Sequence, residues 1–203
     1  MNEPNSIGIA YDKVAVEYVK ENGYGVQLSL PALKKFSSYL PDDNAKILDV
    51  GCGGGQDAKY LHDCGFDVLG IDVSAKMIEL AKQYVPNGRF KVTDLMSLPN
   101  DETYDGIWCC RVFQHIPLGD QDRFVDKLFD LLDDGGVLYL TSVVSDSETD
   151  YEAYDSGVEN LLKKRLTAHS FKNLITKRCN EIIEFNYWSG NKGMEIFARK
   201  LAN

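Results

Sequence analysis

Residues 47–61 read ILDVGCGGGQDAKYL: four glycines, interrupted by one cysteine, directly after a short apolar run. Glycine weakens strands and helices alike, so a cluster of it marks a turn or a close ligand approach that side chains would block. KILDV (46–50) reads as a buried strand, and QDAKYLHDC (56–64) as a helix closed by Gly65. A strand, a bare turn and a helix N-terminus bring unpaired N–H groups to the carboxyl end of a strand. In open α/β sheets ligands bind there.

The same alternation continues on the C-terminal side. FDVLGID (66–72), RFKVTD (89–94), YDGIWCC (104–110) and VLYLTSVV (137–144) read as strands. Between them SAKMIELAKQYV (74–85) reads as a helix begun by Ser74, and QDRFVDKLFDLLDD (121–134) as a helix ended by Gly135 and Gly136. This order predicts a parallel sheet covered on both faces. Upstream, Tyr11, Val14, Ala15, Tyr18 and Val19 form a helical stripe stopped by Gly23 and Gly25. A second helix is expected from about Ser29 to Tyr39, with Pro31 in its first turn. Downstream, SGVENLLKKRL (156–166) and LTAHSFKNLITK (166–177) read as helical. EIIEFNYW (181–188) and KGMEIFARK (192–200), joined by SGN, read as an antiparallel hairpin. No repeat or linker divides the 203 residues, so a single domain over 1–203 is expected.

The formal net charge of −9 points away from nucleic acid, whose phosphates call for a basic surface. No window approaches the roughly 18 apolar residues of a membrane span. MNEPNSIGIAYDKV lacks the charged head and apolar run of a secretory leader. Cys52, Cys64, Cys109, Cys110 and Cys179 are odd in number and not spaced as disulfide or zinc ligands. Reduced thiols, a cytoplasmic location and no metal site are the expectation; the choice between monomer and homodimer stays open.

The glycine spacing narrows the ligand. A dinucleotide fingerprint from Gly51 needs glycine at position 56, where Gln56 stands, and the terminal Gly-Lys-Ser/Thr of a P-loop is absent. Asp49-Val-Gly51-Cys-Gly53-Gly-Gly55 instead resembles the first motif of the class I S-adenosylmethionine-dependent methyltransferases, acidic-x-Gly-x-Gly-x-Gly. GIDVS, VTDL, YDGIWCCRVFQHIP and LLDDGGVLYL resemble the family's later motifs in the same order, over roughly residues 45 to 145. The resemblance implies an α/β, Rossmann-like doubly wound sheet, mostly parallel, with an antiparallel C-terminal hairpin and an N-terminal helical lid. Residues 1–40 would form the lid, 45–145 the cofactor-binding core, and 146–203 a variable helical segment and the hairpin.

The resemblance also assigns expected roles, with S-adenosyl-L-methionine as cofactor. Asp72, about 20 residues past the first glycine, would accept from the ribose hydroxyls. Val73 would pack on adenine, although a buried valine at a strand end has the same signature. Asp94 would accept from the adenine amino group and Leu95 offer its N–H, unless Asp94 is a plain cap. Asp49 and the Gly51 carbonyl would hold the ammonium beside Gly53, and the Cys110 carbonyl would face the methionine part. Tyr11 would shield the sulfonium, and Tyr18 would line the acceptor pocket or simply complete the apolar stripe.

The expected reaction is in-line methyl transfer to a small-molecule acceptor, achieved mainly by placement. His115 is a candidate for a structural or general-base role. Arg111 either clamps an anionic acceptor or pairs with a surface acid. A non-catalytic or regulatory protein that binds the same nucleoside is the alternative. Tyr151 and Tyr154 either cover the pocket or are ordinary loop aromatics.

Overall fold

The computed structural model describes residues 4–21, 28–41, 44–145, 166–179, 181–188 and 193–200. Tyr151, Tyr154, Gly23, Gly25, the SGN turn and SGVENLLKKRL up to residue 165 lie outside the described residues.

Seven strands form one sheet: β1 Lys46–Val50, β2 Asp67–Asp72, β3 Arg89–Val92, β4 Tyr104–Cys109, β5 Leu132–Val143, β6 Glu181–Trp188 and β7 Gly193–Arg199. Their order is β3-β2-β1-β4-β5-β7-β6. The first five strands pair in parallel, and β7 is antiparallel to both β5 and β6. The sequence expectation of a parallel sheet closed by an antiparallel hairpin therefore holds. Helices α1 Pro4–Glu21, α2 Leu30–Tyr39, α3 Gln56–Asp63, α4 Ala75–Tyr84, α5 Gln121–Leu131 and α6 Ala168–Thr176 complete the described elements.

Strand side chains alternate between two cores. Ile47 and Trp108 pack with Phe36 and Leu33 of α2, whereas Leu48, Ile107 and Cys109 pack with Val125 and Leu128 of α5 and with Phe171 of α6. Because both faces are covered, apolar residues stand at neighbouring positions in both strands, Ile47 and Leu48 in β1 and Ile107, Trp108 and Cys109 in β4. Burying side chains of this size contributes roughly 1.5–3 kcal/mol each. Trp108 also stacks on Tyr139 of β5, with centroids 3.9 Å apart and planes 12° apart. Helix α2 thus belongs to a core layer, and only its N-terminal edge reaches the site described below.

Two boundaries differ from the sequence expectation. Helix α5 stops at Leu131, and Asp133–Gly136 belong to the start of β5. The cause is distant in sequence: Lys200 Nζ donates to the carbonyls of Phe129 (2.8 Å) and Leu132 (2.6 Å). Its backbone also exchanges hydrogen bonds with Gly135 and Gly136. The helix expected from Leu166 begins at Ala168, because Leu166 bridges to Val144 and Thr167 accepts from the Ser170 N–H as N-cap.

Candidate functional site

A cavity of about 220 Å³ opens at the carboxyl ends of β1, β2 and β4, beneath α1. Its floor is the glycine turn. The Gly51 and Cys52 N–H groups donate to the Ile71 carbonyl at 2.8 and 2.9 Å, tying the turn to β2. Gly51 has φ +70°, and a Cβ there would lie 2.2 Å from Val112 Cγ2. Gly53 has φ +52°, and its Cβ would meet nothing within 4 Å. One glycine is thus required by protein packing; the other leaves bare backbone at the cavity wall.

Asp72 ends β2 and organises this floor. Its Oδ2 accepts from the Gly53 N–H at 3.0 Å, and its Oδ1 from the Ser74 N–H at 2.8 Å. Burial raises its pKa, and those backbone donors oppose the rise. Asp49 is 2% exposed, and its Oδ2 has no hydrogen-bond partner among the described residues. Burial, with the nearby Asp57 and Asp72, holds the Asp49 carboxyl well above its ordinary range. Asp94 follows β3 and caps a single turn, Leu95–Ser97, accepting from the Ser97 N–H (2.9 Å) and hydroxyl (2.7 Å). It therefore fills the cap role and lines the cavity as well, alongside Val73 and buried Leu95.

The opposite wall follows β4. Burial, then Asp57, pushes the Cys110 thiol up to about 12, with Arg111 opposing, so it stays protonated near neutrality. Arg111 is the one non-glycine residue at positive φ (61°) among the described residues, and its N–H donates to Thr141 Oγ1 at 2.7 Å. Arg111 lines the cavity, its side chain is hydrogen-bonded with Cys110, and it forms no ion pair with a carboxylate among the described residues. From the roof, the Tyr11 hydroxyl lies 3.2 Å from His115 Nε2, and Tyr18 sits edge-on to Tyr11 with centroids 5.7 Å apart. The site candidates from Tyr11 to His115 all line this cavity, whereas Tyr151 and Tyr154 lie outside the described residues.

A family model described as a methyltransferase domain matches residues 47–136. A ubiquinone biosynthesis O-methyltransferase of Pelagibacter ubique is 28% identical over 137 residues, covering 66% of this chain and 54% of the relative. The phosphoethanolamine N-methyltransferase of Plasmodium falciparum is 24% identical over 211 residues, covering 91% and 78%. Over residues 47–136 the chain is thus similar to a methyltransferase domain, and these relatives support the resemblance to class I S-adenosylmethionine-dependent methyltransferases that its motifs carry. It spans about half the length of the ubiquinone-biosynthesis relatives it matches.

Solved structures share this fold. The 1,6-didemethyltoxoflavin-N1-methyltransferase of Burkholderia thailandensis, with bound S-adenosylhomocysteine, superposes with a TM-score of 0.70 over 100% of this chain and 92% of its own, at 18% identity. The [4+2]-cyclase SpnF superposes with a TM-score of 0.78 over 98% and 96%, also at 18% identity. At such identities the likeness establishes the fold alone.

Two further acids bear on this site, one lining the cavity and one bonded to the start of α4. Asp57, in the first turn of α3, accepts from the Ser29 hydroxyl (2.6 Å) and the Trp108 Nε1–H (2.9 Å) and lines the cavity. Its place one residue after Gln56 was visible in the sequence, but its partners are 28 and 51 positions away. Asp12, on α1, accepts from the Ser74 hydroxyl and the Lys76 N–H. Among the described residues no group of three or more His, Cys, Asp or Glu is placed to hold a metal ion. No described helix is long and apolar enough to cross a membrane.

Proposed function

We propose that this protein transfers the methyl group of S-adenosylmethionine to a small-molecule acceptor in this cavity. The observation that carries the reading is the row of carboxyl groups along the wall. Asp49, Asp57, Asp72 and Asp94 line one cavity, and the buried Asp49 Oδ2 is unpartnered. A buried acceptor left unpaired is costly, so this set of acceptors calls for a cationic, hydroxyl-rich ligand. S-adenosylmethionine, with an ammonium, a sulfonium and a ribose diol, fits.

Asp72 would hold the ribose, with Val73 beside the adenine and Asp94 with Leu95 at its edge. Asp49, Gly51 and Gly53 would hold the ammonium end, and the Cys110 backbone and Tyr11 would flank the methionine portion. When bound, the cofactor supplies an activated methyl group on a good leaving group, so the chain's task is to orient the acceptor and exclude water. For the acceptor we propose a small molecule bearing a negative charge, placed against the Arg111 guanidinium and next to Tyr18. His115, through its contact with Tyr11, holds the roof against the post-β4 turn.

The proposed layout is a single domain with α1 as roof, and the proposed location is cytoplasmic. The second reading is a protein that binds the nucleoside without transferring its methyl group. The fold likeness to a [4+2]-cyclase favours keeping it in view. Incubation with methyl-labelled S-adenosylmethionine and a panel of small carboxylates, phosphates, amines and phenols separates the two. Label transfer supports the first reading; binding without transfer to any class supports the second.

A further inference from the structure

Helix α1 has two working faces. Ile7, Tyr11 and Tyr18 look into the cavity, whereas Ala15 and Val19 pack with Met77 and Leu80 of α4. Gly8 lies so close to the turn before α4 that a Cβ there would stand 2.6 Å from the Val73 carbonyl oxygen. Asp12 completes the contact. Its Oδ1 accepts from the Ser74 hydroxyl at 2.6 Å and from the Lys76 N–H at 2.9 Å. Ser74 is 0% exposed; its Oγ accepts from the Met77 N–H at 3.0 Å, and its own N–H donates to Asp72.

The N-terminus of α4 is therefore capped from two chain segments. A helix leaves its first N–H groups unpaired, and a carboxylate there also meets the positive end of the helix dipole. Ser74 supplies one acceptor in cis; Asp12 supplies the other in trans and fixes the orientation of the Ser74 hydroxyl. Hydrogen bonds run unbroken from α1 through Asp12, Ser74 and Asp72 to Gly53.

We propose that Asp12 is a positioning residue that couples docking of α1 to the geometry of the Asp72–Val73–Ser74 turn, so that roof closure and cofactor binding occur together. This rests on the reading that the cavity takes S-adenosylmethionine. With α1 undocked, Lys76 loses its acceptor, and the Ser74 hydroxyl is free to rotate away from Met77. The turn that presents Asp72 then loosens.

The test uses the full chain as wild type, Asp12→Ala, Asp12→Asn and Gly8→Val. S-adenosylhomocysteine affinity is measured by calorimetry, and α1 docking by trypsin cleavage at the exposed Lys13 and Lys20 with and without that ligand. In wild type, the ligand is expected to slow cleavage. Asp12→Ala should weaken binding about five- to tenfold, the scale of a lost charged cap, and lose the protection at equal occupancy. Asp12→Asn, which keeps an acceptor oxygen, should fall between. Gly8→Val lifts α1 by steric contact without touching the charge and should reproduce both effects. The double variant should be no worse than the weaker single one, because both break the same docking.

A purely structural role would lower the melting temperature and leave affinity and protection unchanged; that result overturns the proposal. If wild type binds the ligand and Asp12→Ala binds it equally, the coupling alone fails. If folded wild type does not bind, the cofactor reading fails and the coupling with it.

Discussion

The Gly53 N–H donates to the carboxylate of Asp72 across 3.0 Å, joining two residues nineteen positions apart into one rim of the cavity. The bond makes the glycine turn and the end of β2 a single unit. It also separates what Gly53 does from what its neighbour Gly51 does.

Gly53→Ala adds a methyl group that meets no protein atom within 4 Å, at φ +52°. The backbone cost is roughly 1–2 kcal/mol, while the methyl group occupies cavity space at the floor. The variant is expected to fold and to bind S-adenosylhomocysteine at least about tenfold more weakly, a displacement of more than about 1.4 kcal/mol. Gly51→Ala would drive its Cβ into Val112 and should lose mainly stability. Melting curves beside calorimetry distinguish them; equal effects on both properties would contradict the assignment.

Asp49 carries a pH dependence of definite sign. Its folded-state pKa lies above its unfolded value, burial being the chief cause. Native protein therefore holds this proton more tightly, and the associated stability is lost as pH rises through the raised value. Glu184, drawn down to about 2 by Lys35, Tyr39 and Asn186, has the opposite sign, losing its contribution as pH falls. Comparing Asp49→Asn with wild type isolates the first effect. Without ligand, the variant is expected to melt higher, by about 2–4 °C per kcal/mol relieved, with the gap widening as pH rises. It should bind the cofactor about tenfold or more weakly, as expected for a lost charged hydrogen bond. A gap that is flat with pH would count against the argument.

Arg111 combines a left-handed backbone with a half-buried side chain. Replacing it with glycine should relieve about 1 kcal/mol of backbone strain while removing the anion partner. The expected result is unchanged S-adenosylhomocysteine affinity and a KM for negatively charged acceptors raised at least about tenfold, the scale of a charge-assisted pair. Arg111→Lys, which lacks the planar fork, should recover only part of this. Unchanged turnover of every acceptor would end the anionic-acceptor proposal.

What the sequence made legible was local or periodic. The adjacent apolar pair Ile47–Leu48 and triplet Ile107–Cys109 declared strands buried on both faces, and the Gly51/Gly53 spacing with Asp72 and Asp94 at strand ends declared the cavity. What it hid depends on contacts between distant segments. Lys200 ends α5 from just past the last strand, Asp57 joins Ser29 to Trp108, and Asp12 caps a helix more than sixty positions away. Each of these residues is an ordinary surface type by composition; only the fold brings its partner within reach. Arg111 lies between the two cases: its position in the motif was readable, its positive φ was not.

The most direct test of the central claim is calorimetric titration of wild type and Asp72→Ala with S-adenosylmethionine and S-adenosylhomocysteine. The account expects micromolar binding by wild type and a loss of at least about tenfold in the variant, since two backbone donors and the ribose contact depend on one carboxylate. Folded wild type that binds neither compound, or an Asp72→Ala variant that binds both as tightly as wild type, would contradict it.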